Sequence, residues 1–154
     1  MVESACVFLK PNADYRLRAY YPWGYRADIE RVDGEPQPGD IVPVHDARGA
    51  FLAQAFYNPH SHIPLRILSY DGKMLDAGFF RERIRAAVNR RTGRIQGTNA
   101  WRVVNSESDQ LPGLIVDRFA DVLVVQVRNA GMERRRAMLT EILVEEIQPR
   151  GIAE

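Results

Sequence analysis

The stretch NSESDQLPGLIVDRFADVLVVQV, Asn105 to Val127, sets turn chemistry directly against strand chemistry. Ser106, Ser108 and Asp109 carry side-chain oxygens that compete for nearby backbone N–H groups, which favours a turn. Pro112-Gly113 suits the two central positions of a type II turn, where proline presets φ and glycine takes positive φ. Leu114-Ile115-Val116 and Val122-Leu123-Val124-Val125 are apolar, largely β-branched runs, separated by the polar break Asp117 to Asp121. The pattern predicts a β-hairpin with a buried face. On physics alone it is a well-made hairpin and nothing more.

Working outward, Arg102–Asn105, Gly113–Arg118 and Val122–Arg128 read as strands. A helix is expected at about Met132–Ile147, with Met138, Leu139, Ile142, Leu143 and Ile147 facing inward. Pro149 to Gly151 stops it, and Ile152-Ala153 begins another strand. Upstream, Asp76 is a good N-cap, and Leu75 with Phe80 fits a hydrophobic staple. Phe80, Ile84, Ala87 and Val88 recur at helical spacing from Asp76 to about Arg90, with Arg81, Arg83, Arg85 and Arg90 off that stripe. Arg91 to Asn99 reads as a loop.

The first half has shorter elements. Ala5–Leu9, Asp28–Val32, Ile41–Val44, Ala50–Tyr57 and Pro64–Tyr70 read as strands, with a turn at Asp46 to Gly49. Asn12–Tyr20 reads as a short helix ended by Pro22. Short strands, frequent turns and one small helix predict a small β-barrel or sandwich.

The run ESDQLPGLIVDRF resembles the E-S/A-D-x-L-P-G-L-x-V-D-R-F/Y signature of S-adenosylmethionine-dependent ribosomal RNA methyltransferases. These enzymes modify cytosine C5 in large-subunit rRNA. The likeness extends over FLKP at Phe8 to Pro11, PW at Pro22-Trp23, PGD at Pro38 to Asp40 and NPHSHIPLRIL at Asn58 to Leu68. It implies a mixed α/β chain: a PUA-like RNA-binding β-barrel over residues 1–72, a basic helix and connecting loop over 73–99, and a central α+β domain, truncated, over 100–154. The family's catalytic Rossmann-like domain, which holds S-adenosylmethionine, is expected to be absent. Ribosomal RNA and that missing C-terminal domain are the implied partners, with a second copy of the chain as an open alternative.

At 154 residues, 45% hydrophobic and 27% charged, the chain has an ordinary globular composition. No apolar run nears the roughly 20 residues of a membrane-spanning helix. The N-terminus lacks the basic leader and apolar core of a secretory signal, and Cys6, the single cysteine of the sequence, can form no disulfide within the chain. A cytoplasmic setting is expected. The net charge is +1, yet residues 73–95 carry 7 basic and 2 acidic side chains while both flanking segments are slightly acidic. Nineteen of the 21 basic residues are arginine, which suits planar phosphate and base contacts or reflects genome composition equally well.

Catalysis finds little support. No glycine-rich strand-turn-helix motif offers a cofactor cradle. Cys6 lies in an apolar strand with nothing to activate it and reads as structural. His60-Ser61-His62 could place two imidazoles on one face, but a third ligand has no evident source, so a polar loop is expected. Asp109 with Asp117 or Glu107 is explained by turn and cap roles.

RNA binding is the stronger reading. Tyr15, Tyr20, Tyr21, Trp23 and Tyr25 alternate with Arg16, Arg18 and Arg26, a mixture suited to stacking on bases and meeting phosphates. Trp23 reads as a plug of the barrel core. The predicted contacts are Arg16, Arg18, Tyr21, Arg26 and Arg66, with Arg81, Arg85 and Arg90 on the basic helix, where only Glu82 lies nearby to offset the charge. Arg134-Arg135-Arg136 is locally costly near a helix N-terminus. The alternative is a non-catalytic PUA-domain RNA-binding or adaptor protein.

Overall fold

A computed structural model describes residues 5–154; residues 1–4, which belong to the N-terminal segment read above for a leader, lie outside it. The chain divides into two compact units between Lys73 and Met74.

The first unit holds β1 (Cys6–Leu9), α1 (Tyr15–Arg18), β2 (Trp23–Gly24), β3 (Ile29–Asp33), β4 (Ile41–His45), β5 (Phe51–Tyr57) and β6 (Leu65–Ser69). They form one sheet in the order β2-β6-β5-β4-β1-β3, curled into a half-barrel. Neighbours are antiparallel except β1 and β4, which run parallel. Alternation sends Val7 and Leu9 of β1 and Val42 and Val44 of β4 inward, where Leu17 of α1 joins Leu65 and Ile67. The β4–β5 turn is fixed by Asp46, whose Oδ1 accepts from the N–H groups of Arg48 and Ala50, both at 2.9 Å.

The helix α1 is a single turn, shorter than the Asn12–Tyr20 expected. Asn12 stands at φ +64 on one side and Tyr20 at φ +58 on the other. Tyr21 N–H donates to Arg16 O at 2.9 Å and Tyr20 N–H to Leu17 O at 3.0 Å, a Schellman closure that ends the helix before Pro22. Trp23 also departs from expectation. It is half-buried rather than a core plug, because the two-residue β2 presents its ring to the edge of Tyr21 at 5.7 Å.

The second unit holds α2 (Ala77–Arg91), β7 (Ala100–Asn105), β8 (Leu114–Phe119), β9 (Val122–Val127), α3 (Ala130–Glu133), α4 (Arg136–Ile147) and β10 (Gly151–Ala153). The sheet order is β10-β9-β8-β7, an antiparallel meander extended by β10 parallel to β9. Asp76 caps α2 by accepting from Phe79 N–H at 3.0 Å. Phe80, Ile84 and Ala87 of α2 are buried, as are Leu139, Ile142 and Leu143 of α4, and the two helices pack together.

The sequence predicts one helix over Met132–Ile147; two are found. Three successive arginines sit at the break, and the break supplies each of two with an oxygen. Arg135 donates to Gly131 O at 2.8 Å, and Arg136 pairs with Glu133 at 2.5 Å and with Glu154. The β8–β9 hairpin is tighter than expected. β8 runs one residue beyond the expected Arg118, through Phe119, so the turn is only Ala120-Asp121.

The Leu-Pro-Gly-Leu run explains itself. Leu114 N–H donates to Leu111 O at 3.0 Å and Gly113 has φ +82, which makes the type II turn. A Cβ at Gly113 would overlap the Asn129 side chain. That side chain donates to Pro112 O at 2.6 Å and caps α3 by accepting from Met132 N–H at 2.8 Å. Glycine is required twice over, by dihedral and by space.

Candidate nucleic-acid interface

The aromatic-arginine segment from Tyr15 to Asp28 crosses α1, β2 and the turn before β3. Tyr15 is 58% and Tyr20 74% exposed, large values for rings that could have been buried. The guanidinium of Arg16 lies 4.8 Å from the Tyr15 ring centre and 5.3 Å from that of Tyr25. Asp28 fixes it there, accepting at 2.9 and 3.1 Å. The hydroxyls of Tyr21 and Tyr25 are 3.2 Å apart. This is an ordered plate of aromatic faces with one cation threaded through it.

Two further residues extend the plate. Arg26 donates to the carbonyls of Pro59 and Ser61, tying the segment to the His60–His62 loop. That loop is closed locally, with Asn58 accepting from His60 N–H and Ser61 from Ile63 N–H. Arg66 on β6 stands opposite Trp23 in the register. Arg16, Tyr21, Arg26 and Arg66 therefore belong to one segment and the strand beside it.

Arg18 is held differently. It pairs with Asp14 and with Asp46 at 2.8 Å, at the wall between two clefts. One, of 270 Å³, is lined by Leu17, Arg18, Tyr20, Phe51, Leu52 and Tyr70. The other, of 250 Å³, is lined by Pro11, Asn12, Asp14, Arg18, Asp46, Ala47 and Arg48. Sequence reading placed neither Phe51 nor Tyr70 near Tyr20, since strand pairing alone joins them.

Tyr25 and Tyr70 are held in their neutral form. Burial, with a smaller effect of Tyr20, pushes the Tyr70 hydroxyl up to about 12. The hydrogen bond with Tyr21, then burial, raises Tyr25. Uncharged rings are what stacking on a base requires.

The basic helix carries less free charge than its sequence indicates. Arg81 and Arg85 donate to Glu146 at 3.1 and 2.8 Å, and Arg81 also meets Glu145. Arg90 and Arg91 converge on Asp109, which is 3% exposed, at 2.5 and 2.8 Å. The expectation that only Glu82 offsets these arginines is corrected. Their partners lie 18 to 65 residues away, beyond any local reading of charge.

Among the described residues no group of three or more His, Cys, Asp or Glu is placed to hold a metal. The helix α2 is entered through Met74-Leu75-Asp76 and α3 through Arg128-Asn129, neither of them a glycine-rich cradle. No helix among the described residues is long and apolar enough to cross a membrane.

Residues 7–70 match the model of a PUA-like domain. Over 144 residues the chain is 38% identical to ribosomal RNA large subunit methyltransferase I of Pseudoalteromonas translucida, covering 92% of this chain and 36% of that protein. It is 40% identical over 139 residues to the protein of the same name from Shewanella denitrificans, covering 88% and 35%. A solved structure from Streptococcus mutans, assigned as a SAM-dependent methyltransferase, superposes with a TM-score of 0.81 at 14% identity, over 93% of this chain and 38% of its own. The chain thus carries a PUA-like domain at residues 7–70 and spans about a third of the length of the curated relatives it matches.

Proposed function

We propose that this chain is the RNA-gripping portion of an S-adenosylmethionine-dependent methyltransferase that acts on cytosine C5 of large-subunit rRNA. The first unit holds the RNA, and methyl transfer belongs to a part of the enzyme that these residues do not span. The observation that carries the reading is the plate of Tyr15, Arg16, Tyr21 and Tyr25 on a PUA-like domain, with Tyr15 and Tyr21 exposed, Tyr25 half-buried and Arg16 held by Asp28. The likeness to ribosomal RNA methyltransferases over nine tenths of the chain supports the substrate class.

Arg16, Arg18, Tyr21, Arg26 and Arg66 are the proposed contacts. Arg81, Arg85 and Arg90 form a second, weaker face: like Arg16 and Arg18 they are paired with carboxylates of their own unit, but they lack the tyrosine rings interleaved with the first set. The test is a binding titration of the chain with fragments of large-subunit rRNA over a salt series. Affinity that falls with a linear log–log slope is expected from phosphate contacts. A non-catalytic adaptor would instead take up a protein at high salt and leave the rRNA unbound.

A further inference from the structure

Tyr20 occupies a left-handed backbone position that favours glycine. It is the second residue past α1, just after the C-cap Ala19, in the left-handed region at φ +58, within the Schellman closure described above. A side chain there meets its own carbonyl, so glycine is the usual occupant. The chain instead places a tyrosine, and then leaves it 74% exposed. Neither helix termination nor core packing accounts for that choice. Strain of this kind persists where it positions a group for use.

The ring is positioned over something specific. It meets Tyr70 edge-on at 5.0 Å, and Tyr70 is locked by donating its hydroxyl to Tyr21 O at 2.9 Å. Together with Phe51, 41% exposed, and the aliphatic floor of Leu17 and Leu52, these rings line the 270 Å³ cleft. Arg18 closes one side. Its charge is answered by Asp14 and Asp46, so it offers a flat guanidinium edge rather than a free cation. An uncharged, aromatic-walled slot suits a neutral planar ring and is a poor seat for a phosphate. The exposed Arg48 lines the adjoining cleft, which shares Arg18 with this one.

We propose that the Tyr20–Phe51–Tyr70 cleft takes one unpaired nucleobase of the bound RNA, stacked against Tyr20. The proposal rests on the RNA-binding reading and adds a site to it, separate from the Arg16 plate and continuous with it through Tyr21. Its signature is physical. Stacking releases no counterions, so the site contributes the same factor to affinity at every salt concentration, whereas phosphate contacts set the slope.

The experiment compares the whole chain with Tyr20→Gly and Tyr20→Phe. The probes are a single-stranded oligoadenylate decamer bearing a central 2-aminopurine and a fully paired RNA hairpin without overhangs. Tyr20→Gly relieves the backbone strain, so it is expected to melt no lower than the parent, which removes misfolding as an explanation. It should bind the decamer about tenfold more weakly, roughly 1.4 kcal/mol, with an unchanged salt slope and loss of 2-aminopurine quenching. Tyr20→Phe should restore both. Hairpin affinity should not respond. Decamer affinity and quenching unaltered in Tyr20→Gly, while rRNA fragments still bind the parent, would overturn the cleft alone. A parent chain that binds neither RNA nor rRNA fragments would overturn the cleft together with the reading beneath it.

Discussion

Arg91 grips Asp109 with both terminal nitrogens, Nη1 to Oδ1 at 3.1 Å and Nη2 to Oδ2 at 2.8 Å, joining the end of α2 to the Ser106–Asp109 turn. Asn105 N–H adds a third donor at 2.6 Å. Burial pushes the Asp109 carboxyl up, but the bonds from Arg91, Arg90 and Asn105 outweigh it and hold the group below its ordinary range. Asp109, the second of the two acidic residues in the ESD run, is therefore an anchor for the second unit. Asp109→Ala leaves Asn105 N–H without its acceptor and two arginines without their anion. A loss of about 2–3 kcal/mol is expected, read by urea unfolding; a loss below about 0.5 kcal/mol would refute the anchor.

Acid should weaken the second unit by the same route. The Glu146 carboxyl is held down to about 2, first by Arg85, against burial, with Arg81 assisting. A depressed folded value stabilises at pH above the unfolded value, near 4.3, and that stabilisation disappears as pH falls toward the folded one. Melting temperature should therefore drop between about pH 5 and pH 2. Glu146→Gln should melt lower at pH 7 and show a shallower acid slope, measured by circular dichroism. An unchanged slope would mean that Glu146 is not a source of it.

Gly113→Ala tests the turn at the centre of the signature run. It imposes a side chain at φ +82 and drives a methyl into the Asn129 cap. Left-handed strain of about 1–2 kcal/mol adds to overpacking of about 1–3 kcal/mol. Gly113→Ala should unfold at markedly lower denaturant, and Asn129→Ala should recover part of the difference by removing the clash.

Reversing Arg81, Arg85 and Arg90 to glutamate is expected to unfold the second unit before it reports on RNA. The new carboxylates would face Glu145, Glu146 and Asp109. Neutral Arg81→Gln with Arg85→Gln should lower the melting temperature while changing rRNA affinity less than Arg16→Gln does. The opposite ranking would make the helix the principal contact.

The elements that sequence exposed are those governed by neighbours in the chain. Strand alternation in β1 and β4, the Asp76 cap and the Pro112-Gly113 turn all follow from local dihedral and burial preferences. The misreadings share one cause, which is that tertiary partners decided them. Trp23 lost its core position because β2 is only two residues long. The Arg134–Arg136 cost was met by splitting the helix toward Glu133, Gly131 and Glu154. The basic helix looked unpaired because Glu145 and Glu146 arrive from α4 and Asp109 from the Ser106–Asp109 turn, all distant in sequence. Tyr20 was visible as an aromatic, but its strained dihedral and its neighbours Phe51 and Tyr70 appear only in three dimensions.

The RNA grip is tested most directly by titrating the whole chain with a fluorescent fragment of large-subunit rRNA at several salt concentrations, alongside Arg16→Gln. Binding is expected in dilute buffer, weakening linearly on log–log axes, with Arg16→Gln weaker and its slope reduced by about one phosphate contact. No binding even at the lowest salt, or an Arg16→Gln curve superimposed on the parent, would contradict the proposal that the tyrosine-arginine plate holds RNA.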